Sequence, residues 1–203
     1  MALSLYLIRH GETAWSLTGQ HTGRTDLPLT ANGADQACQL EPHLAGLHFE
    51  HILTSPLLRA QLTCQLVGLD GTTEIEPDLS EWNYGDYEGL KSDEIRRHRP
   101  DWDLFRDGCP RGEMPDQILL RVDRLITRLR SMDGNVALFS HGQFGGVLGA
   151  RWIGLPMAGA RHLPLRTGSV SILGYNIDHP VVPVISMWNC RPPWIPYASP
   201  TTL

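Results

Sequence analysis

Long apolar runs are absent from the 203 residues: none reaches the ~18 consecutive apolar residues that cross a bilayer, so neither a helical membrane protein nor a membrane partner is expected. A basic region followed by an apolar stretch and a small-residue cleavage site is also missing, because the polar Arg9-His10-Gly11-Glu12-Thr13 arrives almost at once. With no secretion signal visible, a cytoplasmic location is expected. Cysteine is scarce: Cys38, Cys64, Cys109 and Cys190 are scattered, with no C-x-x-C pair and no histidine at metal-finger spacing, which predicts free thiols. Cys38 and Cys64 fall in helical patterns where a small hydrophobe would serve as well. Basic residues form no strong cluster and the net charge is -5, so nucleic acid is not expected as the main partner. A bound phosphate would have to be met by a local concentration of arginines.

What remains is a chain with 41% hydrophobic and 19% charged residues, long enough to bury a substantial core as one domain over residues 1–203. Strand candidates bounded by Gly, Pro, Asp or Asn occur at Ser4–Ile8, Phe49–Thr54, Thr73–Leu79, Asn135–Ser140, Val170–Tyr175 and Val182–Trp188. Between Glu113 and Arg130 the apolar set Ile118, Val122, Leu125, Ile126 and Leu129 recurs at three- and four-residue steps, which predicts a helix laying one stripe on a sheet. The stretch Ala34–Leu47 repeats Ala37, Leu40, Leu44 and Leu47, with Pro42 implying a kink or early break. Leu58, Leu62 and Leu66 share a face after Ser55-Pro56, which the pattern reads as an N-cap and a first-turn proline. Strands alternating with such helices predict an α/β three-layer sandwich: a mostly parallel six-stranded sheet with helices on both faces. Residues 12–30 show no clear period, Glu88–Pro110 read as a helical excursion outside the sheet, and the proline-rich tail 189–203 reads as irregular, with Trp194 able to pack across the body.

Four short motifs coincide with strand ends. Arg9-His10-Gly11 follows the first strand, and Ser55-Pro56-Leu57-Leu58-Arg59 follows the second. Glu81-Trp82-Asn83-Tyr84-Gly85 follows the third, and Ser140-His141-Gly142 follows Asn135–Phe139. Open α/β sheets build their sites at the carboxyl ends of strands, so two arginines, two histidines and a carboxyl group there can converge on one anion-binding crevice. A lone histidine is more often a surface or structural residue, and His43, His48, His51, His98, His162 and His179 are read that way. His10 and His141 differ because each ends an apolar strand and precedes a glycine, which lets backbone approach a ligand. Taken alone, Arg59 is equally a solvated helix residue and Glu81 a loop carboxylate.

The ordered series LIRHGETAW, TGRTDLPLTANG, SPLLRAQLT, EWNYGDYEG and FSHG resembles the histidine phosphatase superfamily, the phosphoglycerate mutase-like proteins. The stretches EWNYGDYEGLKSDEI and FRDGCPRGE look most like its sedoheptulose-1,7-bisphosphatase branch and bacterial phosphatase relatives. The resemblance implies a metal-independent phosphomonoesterase acting on small phosphorylated metabolites, possibly sugar bisphosphates, with no cofactor. It implies His10 as nucleophile, Arg9 and Arg59 as the clamp on the phosphoryl oxygens, His141 as a further donor in imidazolium form, and Glu81 as the acid. Ser16, Thr22, Gly23, Tyr84 and Gly142 match substrate-contacting positions, and Gln143 stands where relatives often carry a second histidine. Two other readings stay open: a phosphoglycerate mutase, against which stand Trp82 in place of an arginine and the lack of an evident lid insertion, and a catalytically inert module that binds phosphorylated ligands.

Overall fold

The computed structural model describes residues 2–192. Its strands are β1 (Ser4–Arg9), β2 (His51–Thr54), β3 (Thr73–Ile75), β4 (Asn135–Ser140), β5 (Val170–Tyr175) and β6 (Pro183–Cys190). The helices are α1 (Ala14–Thr18), α2 (Ala31–Cys38), α3 (Glu41–Leu44), α4 (Leu58–Val67), α5 (Ser92–His98), α6 (Leu104–Asp107), α7 (Pro115–Leu129) and α8 (Gly142–Trp152). Three 3-10 turns, Pro77–Leu79, Gly85–Tyr87 and Met157–His162, join them. The six strands form one sheet in the order β3-β2-β4-β1-β5-β6. Pairs β2·β3, β2·β4 and β1·β4 are parallel, whereas β1·β5 and β5·β6 are antiparallel.

Alternation along the strands divides the core into two layers. Leu5, Leu7, Leu53, Val136, Leu138 and Leu173 face one side, where α7 and α8 cover them. Ile8, Ile52, Ala137, Phe139 and Val170 face the other, beneath the segment from α2 to α4. This is the expected three-layer α/β sandwich. Helix α7 buries the five residues its period predicts, Ile118, Val122, Leu125, Ile126 and Leu129. Each contributes about 1.5–3 kcal/mol relative to exposure. Residues 92–107 fold as α5 and α6 outside the sheet, anchored by Ile95, Trp102 and Leu104 in the α7/α8 layer.

Several local expectations change. The Ala34–Leu47 pattern is two helices, α2 and α3, and Pro42 sits in the first turn of the second. Ser55 does not cap α4, whose N-cap is Leu57. The face carrying Leu58 and Leu66 is turned outward, and Arg59, Ala60, Thr63, Cys64 and Val67 are buried instead, because small residues let α4 lie close to the sheet. Cys38 is exposed, not packed. Strand β3 stops at Ile75, where Pro77 opens a 3-10 turn. Strand β6 runs through Asn189 and Cys190, which the tail reading had placed in irregular structure. Trp194 and the rest of the tail beyond residue 192 lie outside the described residues.

Candidate active site

Parallel pairing sets Arg9 of β1 opposite Ser140 of β4. The His10 N–H donates to the Ser140 carbonyl at 3.1 Å, and the Ser55 N–H to that of Phe139 at 2.9 Å. The carboxyl ends of β1, β2 and β4 therefore deliver their motifs side by side. They open onto a cavity of about 410 Å³ lined in part by Arg9, His10, Glu81, Tyr84, Gly142 and Gln143.

His10 is buried, and its Nδ1 lies 2.7 Å from the Gly11 carbonyl oxygen. A carbonyl only accepts, so Nδ1 carries the hydrogen and Nε2 keeps its lone pair. Burial above all, then the charges of Arg9 and Arg59, hold the imidazole well below the usual histidine range, which leaves it neutral. The Gly11 N–H donates to Thr63 Oγ1 of α4 at 3.0 Å, which fixes the turn that carries the ring.

The His141 ring lies 5.2 Å from that of His10, centroid to centroid. Its Nε2 is 2.7 Å from Ser55 Oγ, which itself accepts the Leu57 N–H at 3.3 Å. Either group can donate in this contact, because the hydroxyl keeps a second acceptor lone pair; where the serine donates, the imidazole hydrogen sits on Nδ1, the ring atom without another partner. Burial first, then Arg59, His10 and Arg9, push His141 well below its usual range. In the free protein the imidazole is therefore neutral, because desolvation beside two guanidinium groups outweighs any gain from charge.

Arg9 Nη1 donates to the Leu165 carbonyl. Arg59 donates through Nη1 to Thr25 O at 3.1 Å and through Nη2 to Thr22 O and Gly23 O at 3.0 and 2.9 Å. Most of its donors thus hold the 22–25 loop. Among the described residues, the buried side-chain polar atoms without a partner include Arg9 Nε, Arg59 Nε and His141 Nδ1, all from the candidate catalytic residues. A Cβ at Gly142 would stand 3.1 Å from Arg9 Cζ, so any larger residue there requires the guanidinium to give by a few tenths of an ångström.

Glu81 reaches the N-terminus of α8. Its Oε1 accepts the N–H groups of Trp82 at 2.9 Å and Phe144 at 2.8 Å, and Oε2 accepts only that of Gln143, at 3.0 Å. Oε2 is accordingly the oxygen with room for a proton or a ligand.

Of the catalytic candidates, Arg9, His10 and Glu81 line the cavity, whereas Arg59 and His141 are buried and do not, although the His141 ring lies beside that of His10; the substrate-contacting set is also divided. Thr22, Tyr84 and Ser16 line the cavity, but the Ser16 hydroxyl already accepts the Thr13 N–H at 2.9 Å and donates to Thr13 O at 3.0 Å. Gly23 does not line it: its N–H is committed to Glu88 Oε1 at 2.7 Å because the turn packs against the 85–90 segment. Trp82 is fully buried with Nε1 donating to Glu113 O at 3.0 Å, so its position presents neither a cation nor an indole N–H to the cavity. The six histidines read as surface residues are all exposed. Two contributors escape the sequence reading. Ser55 carries a helix-cap signal that hides its contact with His141. His21 sits in an aperiodic loop, yet it stacks on Tyr84 at 4.5 Å, and burial brings its pKa to about 4.

A family model for the histidine phosphatase superfamily (branch 1) matches residues 5–190. The chain is 40% identical over 176 residues to an acid phosphatase of Mycobacterium tuberculosis, covering 84% of this chain and 86% of the relative. It is 36% identical over 182 residues to sedoheptulose 1,7-bisphosphatase of Saccharomyces cerevisiae, covering 73% and 67%. Among solved structures, that of the open reading frame Rv3214 from Mycobacterium tuberculosis superposes with a TM-score of 0.86 at 35% identity, over 93% of this chain and 97% of the other.

Proposed function

The chain belongs to the histidine phosphatase superfamily, and on that premise we propose that it is a phosphomonoesterase that forms a phosphohistidine on His10 and needs no metal. The observation that carries this reading is a nucleophile beside unsatisfied nitrogens: His10 offers a lone pair at Nε2, its ring lies 5.2 Å from that of His141, and Arg9 Nε, Arg59 Nε and His141 Nδ1 are buried without partners.

In the first step the His10 Nε2 lone pair attacks phosphorus, the bond to the leaving oxygen breaks, and Glu81 Oε2 gives that oxygen its proton. The arginines and His141 hold the equatorial oxygens, doing the charge work that a metal does elsewhere. In the second step a water attacks phosphorus, Glu81 takes its proton, and the phosphorus–nitrogen bond breaks to return the lone pair to Nε2. His141 begins as a neutral donor, so a bound phosphoryl dianion favours its protonation without requiring it.

The substrate class is small phosphorylated metabolites, and a sugar bisphosphate, the substrate in the yeast relative's name, is the leading candidate. The buried Trp82 favours hydrolysis over mutase chemistry, because no cation stands beside Glu81 at that position to grip a substrate carboxylate. The test pairs phosphate release with interconversion of 2- and 3-phosphoglycerate on one sample, alongside aryl phosphate hydrolysis in chelator. Release from the aryl phosphate that outruns interconversion supports the phosphatase; faster interconversion assigns a mutase, and silence in both assays an inert binding module.

A further inference from the structure

A second recess of about 190 Å³ adjoins the main cavity and shares His21, Ser92, Phe105, Gln143 and Arg161 with it. Two guanidinium groups stand in its wall, those of Arg96 and Arg161. Both are oriented by their Nε atoms. Arg96 donates to the Trp102 carbonyl at 3.3 Å and lies over the Trp102 ring, 5.9 Å from its centroid. Arg161 donates to the Ala158 carbonyl at 3.0 Å. Arg96 pairs with no carboxylate among the described residues, and its terminal nitrogens are uncommitted. Arg161 pairs through Nη2 with Asp103 Oδ2 at 3.1 Å, while Asp103 Oδ1 accepts the Phe105 N–H at 3.0 Å. The recess therefore carries two cations against one carboxylate that is already occupied. Its remaining lining includes the Ser92 hydroxyl and the neutral His21, polar groups suited to sugar hydroxyls.

We propose that this recess binds a second phosphate of the substrate through Arg96 and Arg161 while the first phosphate sits at His10, so that the protein selects sugar bisphosphates over monophosphates. Three phosphate oxygens match the free Arg96 fork together with the remaining N–H groups of Arg161, whereas a carboxylate is satisfied by one fork. The inference rests on the phosphatase reading and adds the residues that would set its specificity.

The experiment compares kcat/KM for fructose 1,6-bisphosphate with that for fructose 1-phosphate and fructose 6-phosphate, with an aryl phosphate in parallel, in wild type, Arg96→Gln and Arg161→Gln. The expected result is a wild-type preference for the bisphosphate that falls about tenfold in each variant, the scale of a charge-assisted contact at a partly exposed site. The wild-type preference should also fall as salt rises, a readout that needs no variant. Aryl phosphate hydrolysis with no bisphosphate preference, or a preference that both variants retain, overturns the subsite and leaves the phosphatase. A larger gain from the carboxylate of 3-phosphoglycerate over glycerol 1-phosphate also overturns it. No hydrolysis of any substrate overturns the phosphatase reading, and the inference falls with it.

Discussion

Replacing Ser55 by alanine removes the hydroxyl that lies 2.7 Å from His141 Nε2 and accepts the Leu57 N–H at 3.3 Å. His141 Nε2 is left buried and the Leu57 N–H part-buried. An unpaired buried polar atom costs about 1–3 kcal/mol, which corresponds to a rate loss of roughly 5- to 150-fold where the penalty falls on the transition state. The penalty should fall there, because without the serine hydrogen the neutral ring is free to place its own hydrogen on Nε2 and turn the Nδ1 lone pair toward the phosphoryl oxygens. The assay is kcat for an aryl phosphate above neutral pH, where His141 is neutral, in wild type and Ser55→Ala, with melting temperatures to separate folding from chemistry. A variant within about twofold of wild type would refute the reading that Ser55 donates to His141.

Glu81→Gln should slow a sugar phosphate far more than an aryl phosphate, whose phenolate leaves without a proton; it should also lower the melting temperature, because the amide replaces one of the oxygens that accept N–H groups at the start of α8. Equal losses on both substrates would assign Glu81 to structure. Gly142→Ala should fold yet lose on the order of tenfold in kcat/KM, since its Cβ would press on the Arg9 guanidinium at 3.1 Å; near wild-type kinetics would show that Arg9 need not hold that position. Arg59→Lys should reduce kcat by about 10²-fold despite keeping the charge, because an ammonium cannot hold three loop carbonyls and leave an N–H for phosphate. Acid should destabilise the protein: His10, His141 and His21 have folded pKa values depressed below the unfolded ~6.5, so the unfolded chain takes up protons first and stability falls as pH drops below about 6.5. Each contributes at most ~1.4 kcal/mol per pH unit, and the His21 share ends near pH 4. Urea unfolding at pH 7.5 and 5 checks this, and His21→Asn should flatten the slope.

The parts of the fold legible in the sequence are those where one physical signal dominates. Helix α7 has a clean apolar stripe, and β1 and β4 are near-continuous apolar runs because both their faces are covered. Helix α8 left no signal, since nearly every residue from Phe144 to Trp152 is buried and glycines at 145, 146 and 149 erase the period. The stripe of α4 pointed the wrong way because its inward face holds Arg59, Thr63 and small residues that let it pack closely. Arg9, His10 and His141 were readable because each lies at or just beyond a strand end, whereas Arg59 inside α4 and Glu81 beyond a 3-10 turn were marked by the ordered motifs of the resemblance. His21 and its partner Ser92 are 71 residues apart in chain segments without a period, so only the folded chain joins them.

The most direct test of the chemistry at His10 is to mix the protein with a phosphorylated substrate, quench within a turnover and locate the phosphoryl group. The geometry predicts a phosphoramidate on His10, labile in acid, stable in base and absent from His10→Ala, which should not turn over. An adduct on a serine or a carboxylate, or undiminished hydrolysis by His10→Ala, would contradict it.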